Sequence, residues 1–152
     1  MNRVTLRATM VSATCALLCS GMVGLAPAAQ AATSCFGRMP TIVGTAGADT
    51  INGTRRADVI IGGAGADVIR GLGGNDRVCG GAGADVIRGD GGTDWIAGGA
   101  SADVLRGGAG ADRILGGASA DVLKGGAGDD LLLGGSGTDT CQSPRNGSGC
   151  EL

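Results

Sequence analysis

Gly62-Gly63-Ala64-Gly65-Ala66-Asp67-Val68-Ile69-Arg70 recurs unchanged eighteen residues later as Gly80–Arg88. Working outward, the chain from Gly44 to Gln142 divides into eleven nine-residue units without a gap, beginning at Gly44, Gly53, Gly62, Gly71, Gly80, Gly89, Gly98, Gly107, Gly116, Gly125 and Gly134. The first position is Gly and the sixth is Asp in every unit. The eighth is Ile, Val or Leu in ten units and Cys141 in the last. A second period of eighteen overlies the first. Units three, five, seven and nine end in Arg70, Arg88, Arg106 and Lys124, whereas the even units from two to ten end in Ile61, Cys79, Ala97, Leu115 and Leu133. The seventh position alternates too, with Val68, Val86, Val104 and Val122 in the odd set and Val59, Arg77, Trp95, Arg113 and Leu131 in the even set.

The pattern GGxGxD followed by x-apolar-x resembles the glycine-rich calcium-binding nonapeptides of RTX proteins. The resemblance implies an all-β fold, a parallel β-roll in which six residues turn, three form a short strand, and two units complete a coil. Eleven units then make about five and a half coils. The eighteen-residue period is what such a roll requires, with odd units on one sheet and even units on the other. Side chains alternate across a strand, so the eighth position faces inward and the seventh and ninth face out. Ile51, Ile69, Ile87, Leu105 and Leu123 are expected along one inner wall, and Ile60, Val78, Ile96, Ile114 and Leu132 along the other. This core is thin and holds no aromatic residue. Glycine loses much freedom on ordering, so the chain needs a staple besides its core.

The roll stacks Asp49, Asp67, Asp85, Asp103, Asp121 and Asp139 in one column, and Asp58, Asp76, Asp94, Asp112 and Asp130 in another. At the ~4.8 Å strand spacing, two carboxylates repel by about 0.9 kcal/mol in water and about 3.5 kcal/mol at an effective dielectric of 20. Asn would serve a turn nearly as well without that repulsion, yet Asn never occupies the sixth position. A charge requirement explains the choice. Carboxylates and turn carbonyls without imidazole suit Ca²⁺, which takes 6–8 oxygens in flexible geometry. Mg²⁺ wants a tighter octahedron, and Zn²⁺ wants Cys or His. The resemblance places each ion between turns of adjacent coils, held by Asp side chains of both. Backbone carbonyls near the start of each turn complete the set: Gly62, Ala64, Gly80, Ala82, Gly98, Ala100, Gly107, Ala109, Gly116, Ala118, Gly125 and Ala127. Six and five Asp leave nine gaps, an upper bound of nine ions. Arg56, Ser101 and Ser119 replace the fourth-position Gly and are expected to strain their turns. Arg55 and Arg56 add positive charge beside Asp58 and weaken its sites. Ala fills the fifth position in seven units, where the family often carries Asn or Asp.

The first thirty-one residues read as a secretory signal peptide of bacterial layout. Arg3 and Arg7 precede an uncharged apolar run, Ala8–Leu25, and Ala29-Gln30-Ala31 is a small-x-small cleavage site. Beyond it lie ten of the twelve bases and all fourteen acids, a net charge of −4. Nine calcium ions would carry that to +14, so partial occupancy is expected. The remaining segments are an N-terminal cap over residues 32–43, the roll over 44–142 and a tail over 143–152. Cys35, Cys79, Cys141 and Cys150 remain in an exported, oxidising setting. Given the roll, Cys79 and Cys141 lie more than three coils apart, roughly 15 Å or more, beyond the ~7 Å that a disulfide spans. Cys35–Cys141 would run nearly the length of the roll. Cys35–Cys79 with Cys141–Cys150 is the remaining pairing, tying both ends as caps.

Composition narrows function further. The chain has 33 glycines, no histidine, and Phe36 and Trp95 as its only aromatics. His-based catalysis and base-stacking surfaces are excluded, and no basic excess marks a nucleic-acid partner. The few hydroxyls lack a base, so no enzyme is expected. Ice binding would need outward threonine rows, but Thr holds the seventh position only at Thr50 and Thr140. The expectation is a secreted, calcium-binding β-roll, not an enzyme, whose folding is coupled to metal binding. The alternative is a surface or matrix adhesion module using the apolar even face of Ile61, Trp95, Leu115, Leu131 and Leu133, a face the N-terminal segment could instead cover.

Overall fold

The computed structural model describes residues 34–143 and Cys150. The signal-peptide segment and most of the tail lie outside the described residues. Twelve strands follow one another: β1 (Ile42–Val43), β2 (Thr50–Asn52), β3 (Val59–Ala64), β4 (Val68–Gly73), β5 (Arg77–Ala82), β6 (Val86–Gly91), β7 (Trp95–Ala100), β8 (Val104–Ala109), β9 (Arg113–Ala118), β10 (Val122–Ala127), β11 (Leu131–Ser136) and β12 (Thr140–Gln142). They form two six-stranded parallel sheets, β1-β3-β5-β7-β9-β11 and β2-β4-β6-β8-β10-β12. Each strand pairs with the strand two ahead at an offset of eighteen residues, as in Ile69↔Ile87 and Val78↔Ile96. The fold is a parallel β-roll of about six turns, with even units on one sheet and odd units on the other.

Nine of the twelve strands, β3 to β11, run six residues, longer than the three expected. Pairing continues through Gly63↔Gly81 and Ala64↔Ala82, so the ladder runs from the seventh position of one unit to the third of the next. Only the fourth to sixth positions turn freely. The first position stays glycine because the next coil passes too close for a side chain. A Cβ on Gly80 would collide with the Asp85 carboxylate and the Gly98 carbonyl oxygen. From the third unit on, the fourth-position backbone is left-handed, as at Gly83 (φ 123°), where a Cβ would strike Gly65.

The eighth-position side chains form one continuous core: Ile51, Ile60, Ile69, Val78, Ile87, Ile96, Leu105, Ile114, Leu123, Leu132 and Cys141. Burying one such aliphatic side chain contributes roughly 1.5–3 kcal/mol, and each coil supplies only two. The core reaches beyond the eleven units. Ile42 packs against it and pairs with Ile60, so Cys35–Val43 occupies one more nonapeptide frame. Cys150, eighteen residues after Leu132, packs against the other end. The Cys141–Cys150 disulfide closes that end (Cα–Cα 5.2 Å).

Cys35–Cys79 (Cα–Cα 5.9 Å) pins the N-terminal segment to the outside of the even sheet. Phe36 (φ 49°) and Gly37 (φ 72°) form a left-handed turn closed by two 3.0 Å backbone hydrogen bonds between Cys35 and Arg38. Phe36 meets Trp95 edge-on at 5.5 Å, and Arg77 Nη1 donates to the Phe36 carbonyl. Trp95 is also held between the guanidinium groups of Arg77 (4.5 Å) and Arg113 (4.8 Å), one coil to either side. The even face is therefore not a uniform apolar patch. Ile61 is 1% exposed, Trp95 is half-buried, and Leu131 and Leu133 are only partly exposed, leaving Leu115 as the open member.

Candidate metal centre

Each sixth-position aspartate turns inward between coils. Ten of the eleven, from Asp49 to Asp130, are buried, and Asp139 at the end of its column is half-buried. From Asp67 to Asp139, Oδ1 of each is used structurally, accepting a backbone N–H from the coil before. Asp67 Oδ1 accepts the backbone N–H of Asp49 at 2.8 Å, and the same bond links Asp58 to Asp76, Asp76 to Asp94, Asp85 to Asp103 and Asp103 to Asp121. Asp139 Oδ1 ends its column by accepting from Asp121.

The other oxygen has a different fate in the first coil than in the rest. Asp49 Oδ2 accepts from the Thr45 N–H (2.6 Å) and hydroxyl (2.9 Å). Asp58 Oδ2 accepts the same pair from Thr54, at 2.7 and 2.8 Å. From Asp67 to Asp130 no such donor arrives. Eight buried Oδ2 atoms, on Asp67, Asp76, Asp85, Asp94, Asp103, Asp112, Asp121 and Asp130, have no hydrogen-bond partner. An unpaired buried charge is costly, and the carboxyls register it. Burial first, then repulsion from neighbouring aspartates, raises Asp94, Asp103 and Asp112 from 3.8 to about 6. Asp76 is raised to about 6 by burial and Asp58. Asp67, Asp85 and Asp121 are raised as well, chiefly by burial.

The orphaned oxygens face other oxygens. The point a Cβ would occupy on Gly62 lies 2.5 Å from Asp67 Oδ2 and 2.6 Å from the Gly80 carbonyl oxygen of the next coil. The Gly80 point is flanked likewise by Asp85 Oδ2 and the Gly98 carbonyl. The third-position carbonyls of Ala82, Ala100, Ala109 and Ala127 accept from the fourth-position N–H one coil back, leaving one lone pair each. Among the described residues no three His, Cys, Asp or Glu side chains converge on a point. Any bound cation therefore draws on backbone carbonyls as well as carboxylates. An all-oxygen set with unneutralised charge suits a hard divalent cation, and the residues fit calcium.

One sequence expectation is corrected here. Ser101 and Ser119 do adopt left-handed angles (φ 78° and 82°), but Arg56 does not, so it carries no such strain. The turns Gly44–Asp49 and Gly53–Asp58 contain no left-handed residue, because their threonines close them by hydrogen bonding instead. Thr45 and Thr54 went unrecognised as site residues. Their signal is positional, since only these two units carry Thr at the second position.

No curated protein and no solved structure matches the chain. The RTX calcium-binding nonapeptide repeat matches six overlapping segments: residues 43–78, 52–87, 73–105, 80–114, 88–123 and 106–141. Together they span all the coils that carry the buried, unpartnered carboxylates, and repeats of this kind bind calcium generally. With its two-sheet roll, eighteen-residue register and aspartate columns, the chain belongs to the RTX calcium-binding nonapeptide-repeat family.

Proposed function

We propose that the protein is a secreted calcium-binding β-roll, without catalytic function, whose folding is coupled to calcium uptake. The observation that carries this reading is the set of eight buried Oδ2 atoms without a partner, one per turn from Asp67 to Asp130. The residues that would hold the ions are these aspartates with Asp139, together with first- and third-position carbonyls such as those of Gly80, Ala82, Gly98 and Ala100. Calcium bound there supplies the positive charge that the columns lack. Until they are neutralised, the carboxylates resist stacking, and a core of two aliphatic side chains per coil gives little to oppose them.

The first coil behaves differently in this reading. Thr45 and Thr54 already satisfy Asp49 and Asp58, so the gaps Asp49/Asp67 and Asp58/Asp76 need no ion. Seven of the nine gaps remain. Two disulfides and the charged-apolar-small layout of residues 1–31 support secretion. Burial of Ile61 and the arginine clamp on Trp95 favour a covered even face over an adhesive one.

Far-UV circular dichroism of the oxidised chain 32–152, titrated from chelator into calcium with Trp95 fluorescence alongside, tests the reading. A cooperative gain of β signal is expected, with calorimetry counting about seven ions. A roll equally folded and equally stable in chelator refutes it.

A further inference from the structure

The register that stacks the aspartates also builds a row of donors outside the odd sheet. Asn52, Arg70, Arg88, Arg106, Lys124 and Gln142 lie one above another, all exposed. At the strand spacing the row is about 24 Å long. Arg70 is tied to Asp90 at 2.9 Å. No ion pair engages Arg88, Arg106 or Lys124 among the described residues. Beside the donors runs a row of β-branched side chains, where Val68, Val86, Val104 and Val122 are 40–47% exposed. On the other side Leu72, Asp90, Gly108 and Gly126 stack in register. The change from Leu72 and Asp90 to two glycines leaves a groove of about 410 Å³ over the later coils, lined by Arg106, Lys124, Gln142 and the Gly108 and Gly126 backbone.

We propose that this groove and its donor row bind an extended acidic polysaccharide, one with a carboxylate on successive sugars. The row offers one donor per coil at a fixed ~4.8 Å step on a rigid sheet, close to the advance of one sugar ring along an extended chain. Charge complementarity supplies the attraction, and the valine row offers an apolar edge to the sugar rings. A nucleic acid fits less well, because both aromatic side chains lie on the opposite sheet and none is available for base stacking. A lipid surface fits less well because the binding groups line a recessed groove and short valines cannot reach into a bilayer. Asp90 closes the row toward the N-terminal end, so the bound chain lies over Arg88 to Gln142.

The test is titration of the calcium-loaded chain 32–152 with a short oligogalacturonate at fixed free calcium, with a neutral glucan, an oligodeoxynucleotide and phosphatidylglycerol vesicles in parallel. Binding to the uronate alone is expected, weakening steeply with salt, and by about tenfold or more in R106Q/K124Q. These side chains are exposed, so circular dichroism should match the parent and separate loss of binding from loss of fold. R113Q, on the opposite face, should bind as the parent does. No uronate binding, or binding unchanged in R106Q/K124Q, overturns the proposal. Equal binding to the oligonucleotide or the vesicles overturns the assignment to polysaccharide.

Discussion

Replacing Asp94 with Asn should change the stability of the roll in opposite directions with and without calcium. Asp94 is fully buried in the middle of its column, and its Oδ1 accepts the Asp76 N–H at 2.8 Å. Asn keeps that acceptor and puts a neutral amide where the unpartnered Oδ2 stands. Burial and the neighbouring carboxylates raise Asp94 from 3.8 to about 6. At about 1.4 kcal/mol per pKa unit, keeping it ionised at neutral pH costs the calcium-free roll about 2–3 kcal/mol. D94N should therefore stabilise the oxidised chain in chelator by about 2 kcal/mol, a rise in Tm of about 5–10 °C. On the proposed reading, the same change in saturating calcium removes a charged ligand shared by two gaps. Tm should fall below that of the parent, and calorimetry should count at least one ion fewer. Thermal unfolding followed by circular dichroism in both buffers is sufficient. A shift of the same sign in both would show that Asp94 serves only its turn, and the electrostatic account of the columns would fail.

Acidity should act in chelator as calcium does. The folded-state values of Asp76, Asp94, Asp103 and Asp112 lie above the unfolded value, so their favourable contribution is complete below about pH 4 and disappears as pH rises through about 6; urea midpoints from pH 4 to 7.5 should fall in chelator and stay flatter in calcium. Gly80→Ala sets a Cβ against the Gly98 carbonyl, and backbone cannot yield as a side-chain tip can, so the Tm should drop in both buffers. Thr45→Val with Thr54→Val removes two of the four hydrogen bonds to the Asp49 and Asp58 carboxylates, those of the hydroxyls, and keeps the two from the backbone N–H groups; at about 1.5 kcal/mol for each charged bond lost, amide exchange of Ile51 and Ile60 in chelator should quicken before that of Leu105. Reducing Cys35–Cys79 should loosen Phe36 from Trp95 and expose Ile61, seen as a change in Trp95 emission while the far-UV signal in calcium holds.

The roll was legible because its rule is local and repeated. Ile69 and Ile87 are eighteen residues apart in sequence and adjacent in space, so the period is itself the register. The columns followed from the same count. What escaped was what departs from the repeat. Cys35–Val43 has neither the Gly nor the Asp that marks a unit, with Cys35 and Pro40 in those places, and only Ile42 keeps the core spacing. The role of Thr45 and Thr54 depends on a turn conformation that composition does not reveal, since Thr is at home in many turns. The arginine clamp on Trp95 joins residues already counted as one column, but how a guanidinium lies on a ring is a matter of packing.

The two disulfides also set how the molecule would respond to being stretched. Each coil stores eighteen residues, about 60 Å of extended chain, in a rise of about 4.8 Å. Pulled from its ends, the roll would pay out one coil after another, but not all of its length. Cys35–Cys79 takes the 44-residue span between its cysteines out of the load path, and Cys141–Cys150 takes out nine more. The extensible stretch is the segment from Cys79 to Cys141, which holds six of the eight unpartnered carboxylate oxygens. The protein is thus a spring with a fixed stop at either end, whose stiffness between the stops would be set by the calcium around it.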